Sequence, residues 1–168
     1  MNVRRPTRIA LCLTSCLALA ACGFRLQGAP HLAPLFARTY IEAPVDAPLL
    51  KRELAGVVEL GGALVVDDAK DSSAQLRIRE ARSEQRVLSV SAQGRPREYE
   101  VVYSVRFEVT AGDAQLLAPQ SLELRRDYPF DESDVLARQR EAGVLLEAMQ
   151  RDMAKLIQRR LAAVKPKG

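Results

Sequence analysis

The chain has 168 residues, 48% of them hydrophobic and 27% charged, with 25 basic residues against 21 acidic, three cysteines and one histidine. That length builds one domain around one core, and the shortage of His and Cys leaves little material for acid–base or thiol chemistry. Three of the arginines, Arg4, Arg5 and Arg8, lie in an N-terminal leader; without them 22 basic residues face 21 acidic, which removes the electrostatic case for a nucleic-acid partner.

In chain order, the leader comes first. Its arginines precede an uncharged, Leu- and Ala-rich run from Ile9 to Ala21, 13 residues long. At about 1.5 Å per residue such a run is too short to span a bilayer, and it reads as a secretory signal. It ends in Leu19-Ala20-Ala21-Cys22, the pattern of a lipobox, so Cys22 is the expected lipidation site. Each buried methylene contributes about 0.8 kcal/mol, one acyl chain holds only marginally and two or more anchor stably. Gly23 follows the cysteine where Asp commonly marks inner-membrane retention, so the expected address is the periplasmic face of the outer membrane. Cleavage before Cys22 leaves 147 residues, with Cys12 and Cys16 discarded and no thiol for a disulfide. The expected organisation is a signal peptide over 1–21, a lipidated tether over 22–37, a single domain over 38–164 and a short basic tail over 165–168. Phe24, Leu32, Leu35 and Phe36 are too apolar for a free linker, so part of the tether is expected against the domain or a partner.

Arg38 to Glu42 is β-rich and bounded by Pro44, which predicts a first strand. Asp46 as N-cap, Pro48 in the first turn and Leu50, Leu54, Val57 and Val58 at helical spacing predict a helix that Gly61-Gly62 ends. Ala63 to Val66 adds a short strand or lead-in, and Asp67 to Ser73 is a polar loop. The clearest pattern follows: Tyr99, Val101, Tyr103, Val105, Phe107 and Val109 are all apolar, and mostly polar residues stand between them, which predicts a long strand with one buried face. Leu76 and Ile78, then Val87, Leu88 and Val90, predict the strand before it, with a bulge near Glu80 to Arg86 and a turn at Gln93 to Pro96. After the Gly112-Asp113 turn, Leu122 and Leu124 lead a third strand to Tyr128-Pro129. Asp131 or Ser133 is placed to cap a long helix with Ala142, Leu145, Met149, Met153, Leu156 and Val164 along one side. The expected fold is α/β of the α+β kind: a two-layer sandwich with an about four-stranded, mixed, mostly antiparallel sheet and both helices on one face. A right-handed crossover through the first helix makes one strand pair parallel.

Signs of catalysis are scarce. His31 lies in the Pro-flanked tether, Asp67, Asp68 and Asp71 read as a solvated loop, and there is no nucleophile elbow or phosphate-binding glycine loop. No enzyme activity, cofactor or metal is expected. The arginines are the more informative polar feature. Arg95 and Arg97 flank the hairpin turn, while Arg138 and Arg140 fall in the opening turns of the long helix, where the helix dipole favours anions; guanidinium groups grip phosphate bidentately.

Cys22-Gly23-Phe24-Arg25-Leu26-Gln27-Gly28, the strand beginning Glu98-Tyr99-Glu100, the strand end Arg125-Arg126-Asp127-Tyr128, and Val135-Leu136-Ala137-Arg138 with Glu141 together resemble the LptE family of lipopolysaccharide-assembly lipoproteins. Arg25 stands where many members have His, and Gln27 where Arg is frequent. The resemblance implies a lipoprotein that plugs an LptD-like outer-membrane β-barrel and assists placement of lipopolysaccharide in the outer leaflet. It carries Cys22 over as the acylated anchor and Arg138 as a basic position near lipopolysaccharide phosphates, to which Arg95 and Arg97 are added as candidates. The other readings are a lipoprotein scaffold for a membrane partner with no lipid ligand and, behind it, a periplasmic hydrolase.

Overall fold

The structure, a computed structural model, describes residues 30–129 and 135–164, with side chains from Arg140 onward in the second stretch. Five strands form one sheet: β1 (Arg38–Glu42), β2 (Leu64–Val66), β3 (Ala74–Val90), β4 (Pro96–Ala111) and β5 (Ala114–Pro129), in the order β2-β1-β3-β4-β5. Two helices, α1 (Pro48–Leu60) and α2 (Val135–Ala162), complete the fold. The expected α+β sandwich with a mixed sheet is present with one strand more than predicted. Leu64–Val66 is a strand in its own right, returned alongside β1 by the α1 crossover. β1 is parallel to both neighbours, β2 and β3, whereas the β3–β4 and β4–β5 pairs are antiparallel.

Local chemistry explains most of the boundaries. Pro48 sits at the start of α1, where its missing N–H and fixed φ cost nothing. The cap position is held by Ala47, which has no side chain to cap with, so Asp46 does not play the capping role the sequence suggested. At the other end Gly61 stops α1, and Gly62 turns the chain with φ +88°, a conformation that glycine adopts at no steric cost. The expected bulge in β3 lies at the near edge of the predicted interval, between Ile78 and Glu80, and further irregularities fall between Val87 and Val90. Between them, from Glu80 to Val87, pairing to β4 is unbroken. The Asp131 or Ser133 cap lies outside the described residues.

Because directly opposed residues of a pair point to the same side, the register assigns faces. Val101, Tyr103, Val105, Phe107 and Val109 of β4 share the inner face with Ile41 and Leu76, and there they meet Leu50, Leu54 and Val58 of α1 and Met149, Met153, Ile157 and Leu161 of α2. Phe36, in a short 3₁₀ turn (Pro34–Phe36), is wholly buried in the same core, and Leu32 and Leu35 pack against it. This meets the expectation that part of the tether lies on the domain. Leu156 and Ala142, expected on the buried side of α2, are half-buried, whereas Ile157 and Leu161 are sealed. No helix among the described residues is long and apolar enough to cross a membrane.

Candidate functional site

The end of the sheet remote from β1 and β2 gathers the features that the sequence singled out. There β3 and β4 meet in a turn closed by Ser91 N–H to Arg95 C=O at 2.7 Å, with Gly94 at φ +74°. The Arg95 N–H donates to Ser91 Oγ at 3.2 Å, and the residue is exposed. Arg97 is also exposed and, by strand alternation with Tyr99 and Val101, belongs to the helix-bearing face. Beside them Val87, Leu88 and Val90 stand about half exposed, at 50%, 49% and 58%. Large apolar side chains next to guanidinium groups make this tip amphipathic.

α2 starts at the same end. Ala142, Gly143 and Leu146 line a groove with Ser83, Gln85 and Val101, and the helix then runs back over the sheet to bury Ile157 and Leu161 in the core. At about 1.5 Å per residue, Arg138 lies one turn before Ala142, further toward the hairpin turn. The fold therefore brings the backbone of Arg138 to the end that carries Arg95 and Arg97. Its side chain lies outside the described residues, as does Cys22. His31 is exposed, and Asp68 is occupied locally, its Oδ1 accepting from Lys70 N–H at 2.9 Å. No cluster of His, Cys, Asp and Glu suited to a metal ion occurs among the described residues.

Two further polar features were not foreseen. The outer sheet face carries a lattice of paired charges: Arg82 with Glu80, Arg86 with Glu84 at 2.7 Å, Arg125 with Glu123 at 2.6 Å, and Arg79 with Glu108. Glu108 is only 8% exposed because the Arg79 guanidinium covers it, Nε donating at 2.9 Å. The hydrogen bond from Arg86 holds the Glu84 carboxyl below its usual range, and the same contact raises Arg86.

The second feature is a cavity of about 750 Å³ beside β3, where Tyr103 and Gln150 approach Ala81, Ser83 and Leu146. The Tyr103 hydroxyl and Gln150 Oε1 are buried there without a hydrogen-bond partner. Burial, aided by the charge of Asp46, pushes the Tyr103 hydroxyl up to about 12. The alternation marked Tyr103 as apolar core, but nothing in the sequence indicated that its hydroxyl lacked a partner.

The sequence profile of the family LptE, Lipopolysaccharide-assembly, matches residues 36–161. Among solved structures, lipoprotein B from Nitrosomonas europaea is similar at 35% identity and TM-score 0.70, covering 84% of this chain and 91% of that one. The rare lipoprotein B from Shewanella oneidensis is similar at 28% identity and TM-score 0.66, covering 75% and 94%. A minor lipoprotein from Acinetobacter baumannii, 20% identical with TM-score 0.66 and covering 76% and 92%, shares the fold. No match is found among curated proteins. With the profile spanning the domain from Phe36 to Leu161, the chain belongs to the LptE family of lipopolysaccharide-assembly lipoproteins.

Proposed function

We propose that this protein is anchored through lipid on Cys22 at the periplasmic face of the outer membrane, sits within an LptD-like β-barrel as its plug, and contacts lipopolysaccharide directly at its amphipathic end. The observation that carries the lipid part of the reading is the tip itself. Arg95 and Arg97 are exposed beside Val87, Leu88 and Val90, on the end of the fold from which α2 and Arg138 start. An anionic glycolipid offers phosphates to the guanidinium groups and acyl chains to the apolar side chains, so one ligand meets both halves of the surface. Family membership supports the assembly role, and the paired outer face supports a protein environment that needs no net charge there. Nothing in the reading calls for an enzyme.

The test is lipopolysaccharide binding by the purified protein at several salt concentrations. We expect binding that weakens with salt and falls about tenfold or more when Arg95, Arg97 and Arg138 are changed together to alanine, since each charge-assisted contact contributes about 1.5–3 kcal/mol at most. Unchanged binding in the triple variant overturns the assignment of these residues. Affinity purification from membranes tests the plug separately, and failure to recover a large outer-membrane barrel overturns that part. Recovery of the barrel without lipopolysaccharide binding leaves the scaffold reading.

A further inference from the structure

One long edge of the sheet carries a regular template for a further strand. β1 pairs with β3 only from Ala74 to Arg77, because the chain turns away at Ala43-Pro44 toward α1. Beyond that point β3 is bonded to β4 alone among the described residues, and from Glu80 to Val87 that pairing is unbroken. Every residue from Arg82 to Leu88 is exposed. Native edges are usually blunted by proline, by bulges or by a covering element. No proline lies in β3, and its bulges flank the regular run. β5, the other long edge, carries Pro119 and Pro129.

The cavity of about 750 Å³ begins where β1 leaves off, at Asp46 and Ala47, and follows this edge. Much of its lining is outer-face, with Glu80, Arg82, Glu84 and Arg86, while Ala81, Ser83 and Tyr103 line it from the inner face. A space that wraps an open edge and meets both faces suits a strand, whose side chains alternate between the two. The two faces ask for different residues. Outside, Arg82 is paired with Glu80 and Arg86 with Glu84, so an uncharged side chain meets no lone charge there. Inside, Ser83 opposes Tyr103 in register, and the Tyr103 hydroxyl, on a residue 3% exposed, is buried with Gln150 Oε1, neither having a hydrogen-bond partner. A hydroxyl or carboxamide side chain beside Ser83 can partner both. Reach decides which chain supplies it. Leu32 N–H donates to Gly61 C=O at 2.9 Å, which holds the tether at the end of the sheet where β1 and β3 begin. The eight residues from Cys22 to Ala29 extend at most about 29 Å, whereas Glu84, ten residues past Ala74, lies about 33 Å along β3. A plug is surrounded by one other polypeptide, its barrel, whose strands are bonded to one another and whose connecting segments are free to pair.

We propose that an extended connecting segment of the surrounding barrel adds to this sheet as a further strand along Glu80 to Val87, with a hydroxyl or carboxamide side chain set between Tyr103 and Gln150. This rests on the barrel reading and is independent of the lipid one. It is tested by residue-resolved amide hydrogen exchange on the full chain in detergent, alone and in the barrel complex recovered from membranes. Alone, every second amide from Glu80 to Val87, the set turned away from β4, is expected to exchange fast. In the complex that set is expected to slow about tenfold or more, while the amides between, bonded to β4 in both states, change little. Tyr103→Phe deletes no hydrogen bond within the chain and is expected to weaken the complex about fivefold. Recovery of no barrel overturns the barrel reading and this proposal with it. A recovered complex in which the alternate amides stay fast overturns the strand addition alone. So does slowing without alternation, which marks side-chain packing, and so does slowing brought on without the barrel by lipopolysaccharide or by raised protein concentration, which assigns the edge to a glycolipid or a second copy. A complex that Tyr103→Phe leaves unchanged or tightens overturns the placement of the polar side chain.

Discussion

β3 and β4 carry apolar side chains from one end of the sheet to the other, but the two ends fare differently. Leu76, Ile78, Phe107 and Val109 near β1 are 0–4% exposed, whereas Val87, on the same face near the hairpin turn, is 50% exposed. The strands are the same and so are the residue types. What differs is the cover, since α1 has 13 residues and α2 has 28, or roughly 20 Å against 42 Å of helix. Only α2 reaches over the far half, and nothing replaces α1 there among the described residues. Alternation makes a face available for burial; a second layer of sufficient length decides how much of it is buried.

The comparison can be broken most sharply by truncating one side chain at each end. Phe107→Ala, in the sealed half, is expected to cost about 3–5 kcal/mol in urea unfolding, the usual range for a fully buried phenylalanine. Val87→Ala at the open end is expected to cost about 0.5 kcal/mol or less. Similar losses at both positions would show that the far half packs as tightly as the near one.

Between those extremes lies Arg79→Ala, which strips the cover and charge partner from Glu108, and the expected loss is about 1–2 kcal/mol. Adding Glu108→Gln to the Arg79→Ala variant should recover part of the loss. No recovery would point to the packing of the arginine stem instead.

Gly94→Ala comes next. At φ +74° an added Cβ is strained even in open space, so a loss of about 1–2 kcal/mol is expected by the same unfolding measurement. A neutral effect would mean that the turn shifts freely and that the tip holding Arg95 is not set by it.

Tyr103→Phe is expected to stabilise by about 1 kcal/mol, since it deletes a buried hydroxyl that has no partner. Its pH signature has a definite sign. The folded protein keeps the Tyr103 proton up to about 12, while the unfolded chain releases it near the ordinary tyrosine value of about 10. The contribution is therefore fully present below about pH 10 and lost as pH rises toward 12. Unfolding free energies compared across that range should fall more steeply for the parent than for the phenylalanine variant. Parallel curves would mean that the hydroxyl is solvated.

Some of this was legible in the residues and some was not, and the division follows the range of the forces involved. The six-residue alternation from Tyr99 to Val109 identified β4 and its buried face, because side-chain direction in a strand is fixed by the chain's own geometry. Pro48 and Gly61-Gly62 set the limits of α1 for the same local reason. The cap failed because Asp46 and Ala47 are adjacent, and which of them falls at the cap position depends on how the β1–α1 connection enters the helix. The three-residue β2 is too short for a periodic signal and exists through its register with β1.

Of the candidate site, the sequence named Arg95, Arg97 and Arg138 by type and by position in their elements. Their common location at one end of the molecule depends on the direction in which α2 returns. The Arg79–Glu108 pair spans 29 positions along the chain, and no local pattern announces it.

The sequence by itself determined the order of helices and long strands and the face of β4 that is buried. Both follow from periodicities internal to single segments. Only the tertiary structure decided that, among the described residues, the distal half of β3 pairs on one edge alone and the Tyr103 hydroxyl is enclosed without a partner, and that the apolar tip keeps company with arginines. Those outcomes depend on where one element stops relative to another, a relation between segments that the residues of neither segment encode.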